Sequence, residues 1–488
     1  MQPSRSLTEG SISRGMFQFA LPILFANILQ SLNGSVNSIW VGRFLGEAAL
    51  TATSNANTVM FLLIGTAMGI AIAATILVGQ CIGANDLREA KHVVGTSATF
   101  FFLVSLVMAI AGWILCEPLL SAMKTPPDSM QFAIAYMRVI FLALPSMYMY
   151  AFVMSVLRGA GDSKTPFYFM LLSVAIDIAL NPVFIFGIGP IPRFGIAGSA
   201  MATLLGQTIS LVALLRHLYR RKHLLVLHSN ELSLLRLNGA IVGTLIKRGV
   251  PMGAQMLVVS FSGVLMIALV NQYGVDTTAA FGAALQIWTY IQMPAFAVGM
   301  AVSAMAAQNV GAQKWDRVAS IARVGVVYSV VLIGAMVLWI EIANKHALGL
   351  FLPPGSPALD IGSHINHVVT WSFIFFAVSM VLLGVVRATG AVMMPLLILT
   401  ITLLVVRFPA AALLSSKYQA EAIWWSFPVS SVLAAVLSVV YYKFGGWRSV
   451  RILSAIGATA PAAGGAPADT SSGQIPRGAP SAESATGT

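Results

Sequence analysis

The sequence predicts an all-α polytopic membrane protein: twelve transmembrane helices in two six-helix lobes, related by a pseudo-two-fold axis along the membrane normal. Three observations predict it. Hydrophobic residues make up 58% of the 488 and charged residues only 9%, with a mean hydropathy of +0.85. A soluble chain of this length needs far more charge to cover its surface, so lipid is the solvent for most of this one. The apolar residues gather in runs of about 20 or more, the length that crosses about 30 Å of hydrocarbon as a helix. Finally, short motifs of the first half recur in the second at an almost constant offset.

The runs lie near 16–41, 49–79, 93–116, 132–157, 166–188, 196–219, 243–271, 279–307, 320–343, 364–386, 395–415 and 421–443. They are continuous rather than alternating, which excludes an outer-membrane barrel. Residues 1–15 are polar, with Ser6 and Glu9 spaced as a capping box, and are expected to form a short amphipathic cytoplasmic helix rather than a cleavable signal. The first lobe is expected over 16–219, a basic linker over 220–242 and the second lobe over 243–445. Residues 446–488 are expected to be a disordered cytoplasmic tail, because after about 452 the chain turns to Ala, Gly, Pro, Ser and Thr without apolar periodicity.

The net charge of +12 does not point to nucleic acid, because the basic residues stand at the ends of the apolar runs, where a membrane protein meets anionic lipid. With the N-terminus placed inside, 21 Lys and Arg fall in inside segments and 5 in outside segments; Arg138 and Arg407 lie within spans. By the positive-inside rule both termini are expected to be cytoplasmic, as in an inner-membrane protein. Cys81 and Cys116 form neither a disulfide framework nor a metal cluster and read as packing residues.

The repeat is read from three matches. Leu21-Pro22 recurs as Val250-Pro251, Gln80 with Gly83-Ala84 as Gln308 with Gly311-Ala312, and Arg158, Gly161 and Pro166 as Arg387, Gly390 and Pro395. Each half holds an even number of spans, so the repeats are parallel and a central cavity is expected between them.

These residues resemble the multidrug and toxic compound extrusion (MATE) family. The likeness rests on Leu21-Pro22-Ile23, the stretch Val36-Asn37-Ser38-Ile39-Trp40-Val41-Gly42, and Gly79-Gln80 with Gly83-Ala84. It continues through Leu157-Arg158-Gly159-Ala160-Gly161-Asp162 to Pro166, then Asn181-Pro182-Val183-Phe184-Ile185-Phe186-Gly187, and Gly195 with Gly198, Ala200 and Thr203. It spans about 15–445, everything but the tail. The resemblance implies export of amphipathic organic cations, driven by an inward H⁺ or Na⁺ gradient, through alternating access between two lobes. It is nearer the DinF-like than the NorM-like branch. The bilayer and small organic cations are the expected partners, with no cofactor, and the chain is expected to act as a monomer.

An ionisable residue inside the membrane is costly and defaults to a functional assignment. Asp177 alone among the acids sits mid-span; Glu117, Glu341 and Glu421 fall at span ends. Asn181 is one helical turn further on the same face, and Asn33 and Asn37 share a face by the same spacing. The expected ion-coupling site is therefore Asp177 walled by Asn33, Asn37 and Asn181, holding either a proton or Na⁺. The bland alternative is an Asp hydrogen-bonded for packing. DinF-like relatives carry an Asp in the first helix, where this chain has Asn37, and Asn-x-x-x-Asp in the fifth, where it has Asp177-x-x-x-Asn181. The carboxylate has moved by one turn. The acids of the NorM-like branch are absent too, with Val259 and Phe376 standing approximately in their places.

Pro22 precedes Asn37 by fifteen residues, as does a first-helix proline in relatives thought to bend during the cycle. A static kink is an equal reading. Arg158 and Arg387 end equivalent spans and read as structural cations at helix C-termini. Arg407, just before Phe408-Pro409, either holds lobe carbonyls together or faces the cavity. Gln286, Tyr290 and Met293 lie at i, i+4, i+7 on the eighth span; the pattern suits flat cations, although packing or lipid contact is the favoured reading. Thr203, Gln286, Tyr290 and Arg407 are the candidate cavity residues.

Two rivals remain. A lipid-linked precursor flippase or polar-metabolite exporter needs several cavity cations to bind diphosphate, and only Arg138 and Arg407 lie mid-span. A membrane enzyme needs clustered His, Asp or Glu; His364 and His367 are the nearest approach, with Asp360 their one sequence-adjacent carboxylate, and read as interfacial decoration. No Walker motif occurs, so ATP does not drive transport directly.

Overall fold

The structure is a computed structural model and describes residues 7–190, 192–450 and 452–457. Twelve long helices follow one another: α1 Ile12–Leu45, α2 Glu47–Gly83, α3 Leu87–Ala122, α4 Pro127–Gly159, α5 Lys164–Phe186, α6 Ile196–Arg220, α7 Gly239–Tyr273, α8 Val275–Gly311, α9 Trp315–Leu348, α10 Pro357–Ala388, α11 Met393–Tyr418 and α12 Ala420–Phe444. Eleven of them are long and apolar enough to cross a membrane by their described residues, and within α2 the described residues give an apolar stretch over Ala67–Gly83. The expected spans sit inside these helices, which run a few residues further at most ends. The fifth is the exception, its helix stopping at Phe186 with Gly187 in the left-handed region where the expected span runs to 188. The polar caps explain the extension: Ser11, Asp86, Asn238 and Ser356 accept backbone N–H groups at four N-termini, outside the apolar windows.

The two halves repeat in their backbone as well as in their residues. Positive φ recurs at Gly46 and Gly274, at Asn85 and Gln313, and at Gly161 and Gly390. Gly195 and Gln419, which precede α6 and α12, share nearly one conformation, φ 57° ψ −128° and φ 52° ψ −137°. Nothing in the residue types announces this last match.

The halves meet along α2, α7 and α8, and at one end of the bundle they interlock. A side chain at Gly83 would overlap the carbonyl of Gln308, and one at Gly311 would overlap that of Gln80, so only glycine lets α2 and α8 cross there. Gln80 then donates to the Ala388 carbonyl at 2.6 Å and Gln308 to the Gly159 carbonyl at 2.9 Å, each capping the end of a helix in the opposite half. This end carries the turns rich in Lys and Arg and is called the basic end. Further along, a Cβ at Gly69 would overlap Gly253 of α7, whereas one at Gly65 would only touch Leu257 and Met256. The halves therefore part away from the basic end. The course of α8 agrees: Val302–Gly311 is buried throughout, whereas Ala279, Gly282, Gln286 and Tyr290 form an exposed stripe at the other end.

Three expectations for the termini and linker change. Ser6 lies outside the described residues, residues 7–10 form a turn ending at Gly10 with φ 73°, and helix begins only at Ile12, so residues 7–15 hold no separate amphipathic helix. Leu7 instead clasps the second half, its N–H donating to Gln308 Oε1 and its carbonyl accepting from Asn309. The linker holds a short 3₁₀ helix, Ser229–Leu235, docked on α3. The expected disordered tail is ordered at its start. Trp447 is buried, stacks on Tyr442 and accepts Thr389 on its carbonyl, while Ile452 is buried against Gly390 and Leu453 and Ile456 are buried too. Residues 458–488 lie outside the described residues.

Candidate functional site

Asp177 lies midway along α5 and is 2% exposed. Its side chain projects between α1 and α6, and every polar neighbour turns a donor toward it. Asn33 Nδ2 donates to Oδ2 at 2.7 Å and Asn37 Nδ2 to the same oxygen at 3.1 Å. Thr203 Oγ1, on α6, donates to Oδ1 at 3.1 Å, and Asn181 Nδ2 reaches it at 3.3 Å. Asn181 also donates to Asn37 Oδ1 at 2.7 Å, closing a ring of side chains across three helices.

Local sequence makes this ring. The four-residue spacings put Asn33 with Asn37, and Asp177 with Asn181, on single faces of α1 and α5. Gly206 lets α6 lie against α5: a Cβ there would stand 3.0 Å from the Ser173 carbonyl and 3.4 Å from Asp177 Cβ. Thr203, one turn earlier, thereby comes within reach. Sequence reasoning placed Thr203 in the cavity but not on the carboxylate, since 26 residues and a change of helix separate the two. Two oxygens of the ring, Asn33 Oδ1 and Asn181 Oδ1, are buried and accept from nothing in the described structure.

The other candidates are dispersed. Gln286 and Tyr290 are exposed on α8, on the stripe facing away from the basic end, while Met293 is buried. Pro22 is half-buried and α1 stays helical on both sides of it. Arg158 donates to Ser155 and Arg387 to Gln255, both near the basic end. Arg138 is exposed and rests on Trp113, with 5.6 Å from guanidinium to ring, at the outer surface of α3 and α4. Arg407 turns inward in the second half, donating from Nε to Ser430 at 2.8 Å and lying 4.4 Å from the ring centre of Phe427. His364 and His367 pair with Glu421 and Glu341 rather than with Asp360, which binds Lys345; these partners lie on neighbouring helices at the end opposite the basic one. Cys81 and Cys116 are free and buried, and the described residues contain no group of three or more His, Cys, Asp or Glu poised for a metal.

Two repeated halves, interlocked at one end and parted at the other, with polar groups held inside the bilayer, have the architecture of a membrane transporter rather than an enzyme. The MatE family profile matches the chain twice, over residues 22–183 and 251–413, once in each half. A probable multidrug resistance protein of Bacillus subtilis, YoeA, is 36% identical over 91% of this chain and 96% of its own. Another from the same organism, YpnP, is 30% identical over 92% and 98%. The fold matches the solved outward-facing conformation of a MATE multidrug resistance transporter with a TM-score of 0.84, at 18% identity, covering 91% of this chain and 97% of that one. The chain belongs to the MatE family, the multidrug and toxic compound extrusion transporters.

Proposed function

We propose that this protein is a cation-coupled antiporter of a bacterial inner membrane, exporting amphipathic organic cations in exchange for H⁺ or Na⁺ bound at Asp177. The observation that carries the reading is a mid-membrane carboxylate ringed by Asn33, Asn37, Asn181 and Thr203, with two amide oxygens left over. Packing alone does not account for it, because an apolar residue would fill the same space without the cost of a buried charge.

The ring accommodates either ion. Thr203 has one hydroxyl proton and two acceptors in range, Asp177 Oδ1 and the Ser199 carbonyl at 3.3 Å. When Asp177 takes a proton, its O–H donates to Thr203 Oγ1 and the Thr203 proton turns to Ser199, so no donor is orphaned. For Na⁺, the carboxylate and the amide oxygens of Asn33, Asn37 and Asn181 supply the hard oxygen ligands such a cation takes. The site carries one formal negative charge, which fits one monovalent cation per cycle. Na⁺, by drawing in the amide oxygens, changes what Asn33 and Asn37 bind and so acts on α1, where Pro22 removes a backbone hydrogen bond three turns away and gives the helix a place to bend. A proton on Oδ1 acts first on Thr203 of α6.

The basic end is assigned to the cytoplasm by its Lys and Arg, which places both termini inside and makes the described conformation outward-open. Residues 16–219 and 243–445 then act as the two lobes, in a monomer nearer the DinF-like branch. The flippase alternative is disfavoured by the position of Arg138, which lies on the outer surface and leaves Arg407 as the one mid-span arginine of the described residues turned inward.

The test is dye efflux in membrane vesicles under a Na⁺ or a pH gradient imposed separately, for wild type and Asp177→Asn. One gradient should drive wild-type efflux, and the variant should lose that dependence. An unchanged rate and gradient dependence in Asp177→Asn would sink the assignment.

A further inference from the structure

The second half carries a counterpart of the Asp177 site with its charge reversed. Asp177 stands eleven residues after Pro166, and Arg407 twelve after the equivalent Pro395. The extra residue is absorbed by a π-helical stretch, Ile401–Arg407, in α11. A π turn holds one residue more than an α turn and gathers at functional sites. It returns Arg407 to the place on α11 that Asp177 holds on α5.

The surroundings correspond residue by residue. Counting from the matched turns at Gly195 and Gln419, Thr203 corresponds to Phe427 and Gly206 to Ser430. These are the two α12 residues that Arg407 touches, as Thr203 and Gly206 are the two α6 residues beside Asp177. On α7 the counterpart of Asn33 is Ser262, which donates to the Leu403 carbonyl inside the π-helical stretch, and that of Asn37 is the buried Met266. The amide cage suited to a cation is thus replaced by a ring face and hydroxyls.

Arg407 is left with unspent capacity. Only Nε and one face of the guanidinium are engaged; among the described residues no carboxylate pairs with it, and its terminal nitrogens donate to no group. Arg407 as a residue is half-buried. An unpaired guanidinium in a membrane span is costly, and its planar fork matches an oxyanion with two parallel hydrogen bonds.

We infer that Arg407 is an oxyanion-binding residue of the second half, so that the preferred cargo is amphoteric: an apolar scaffold bearing a cation together with a carboxylate or phosphate. This rests on the antiport reading for the direction of transport, not for binding. The cargo's anionic group pairs with Arg407, while its cation and the coupling ion compete for the negative charge at Asp177.

Equilibrium binding to the purified full-length protein, read by tryptophan fluorescence, tests it with norfloxacin and its ethyl ester, which keeps the piperazinium and lacks the carboxylate. Wild type should bind the acid about tenfold more tightly than the ester, the scale of a charge-assisted bidentate contact. Arg407→Gln should abolish the preference with the ester affinity unchanged, and Arg407→Lys should keep part of it. A wild type without preference for the acid overturns the inference whether or not the variants fold, and so does an equal loss for both compounds in Arg407→Gln. Gradient-driven efflux of the ester in wild-type vesicles, measured alongside, shows separately whether the antiport reading stands.

Discussion

At the scale of single residues the proposed ion site turns on Thr203 as much as on the amides. Its hydroxyl donates to the ionised carboxylate and, by a rotation alone, can accept from the protonated one. The bond to the ionised carboxylate is the stronger of the two, so Thr203→Val should lower the half-saturating proton concentration about tenfold, whereas Thr203→Ser should leave it near wild type. Equal effects of Val and Ser, in efflux measured against ion concentration, would reduce Thr203 to a packing role. Asp177, Asn33, Asn37 and Asn181 were legible in the sequence because helical spacing of polar residues inside apolar runs is itself the signal. Thr203 was not, since no local pattern tells which residue of α6 meets α5. The histidines show the same limit: Glu341 and Glu421 are 26 and 57 residues from their partners, so the sequence offered only Asp360.

Elements show which parts of the chain a composition argument can reach. The spans were legible to within a few residues because an apolar run of that length has one solution in lipid. The segment after α12 was not, because a lone tryptophan and three scattered apolar residues make no periodic pattern, yet all four are buried, Ile452 against Gly390 and Trp447 against Trp315. Trp447→Ala should cost about 3–5 kcal/mol, the usual range for emptying a buried tryptophan site, read as a fall in melting temperature of the purified protein; an unchanged melt would mean the segment contributes nothing. The linker gives a pH-dependent counterpart. Lys91 donates to both Glu231 oxygens at 2.8 Å, and this bond, aided by the His228 N–H, draws the Glu231 carboxyl from 4.5 down to about 2. A carboxyl lowered by folding contributes stability above its unfolded value and loses it as pH falls through the folded one. Docking of Ser229–Leu235 on α3 should thus be intact at neutral pH and weaken progressively below about pH 4.5. Hydrogen-exchange protection of this segment at about pH 3 in wild type should fall between that of wild type and that of Glu231→Gln at neutral pH. Full protection in both would show that the ion pair does not hold the linker.

For the whole molecule, the same pseudo-symmetry that places opposite charges in the two halves also builds the closed end. Gln80 and Gln308 make reciprocal bonds across the seam, and each depends on the glycine of the opposite helix, Gly311 or Gly83, that lets the backbones touch. Alternating access requires this seam to part, so these bonds set the balance between the two openings. Each is a buried bond from a neutral amide to a backbone carbonyl, contributing about 1 kcal/mol net. Losing one should shift the equilibrium about fivefold toward the state open at the basic end, and losing both about 25-fold if the two act independently. Gln80→Ala and Gln308→Ala should shift it in the same direction, Gln308→Ala the further because it also releases the Leu7 N–H. Spin labels at Arg88 and Asp316, exposed and equivalent positions beside the seam, with both cysteines replaced, would report it as growth of a longer-distance population in pulsed dipolar spectra. An effect of one substitution without the other would mean that the seam is held by the Leu7 clasp on Gln308 and Asn309 rather than by the repeated glutamines.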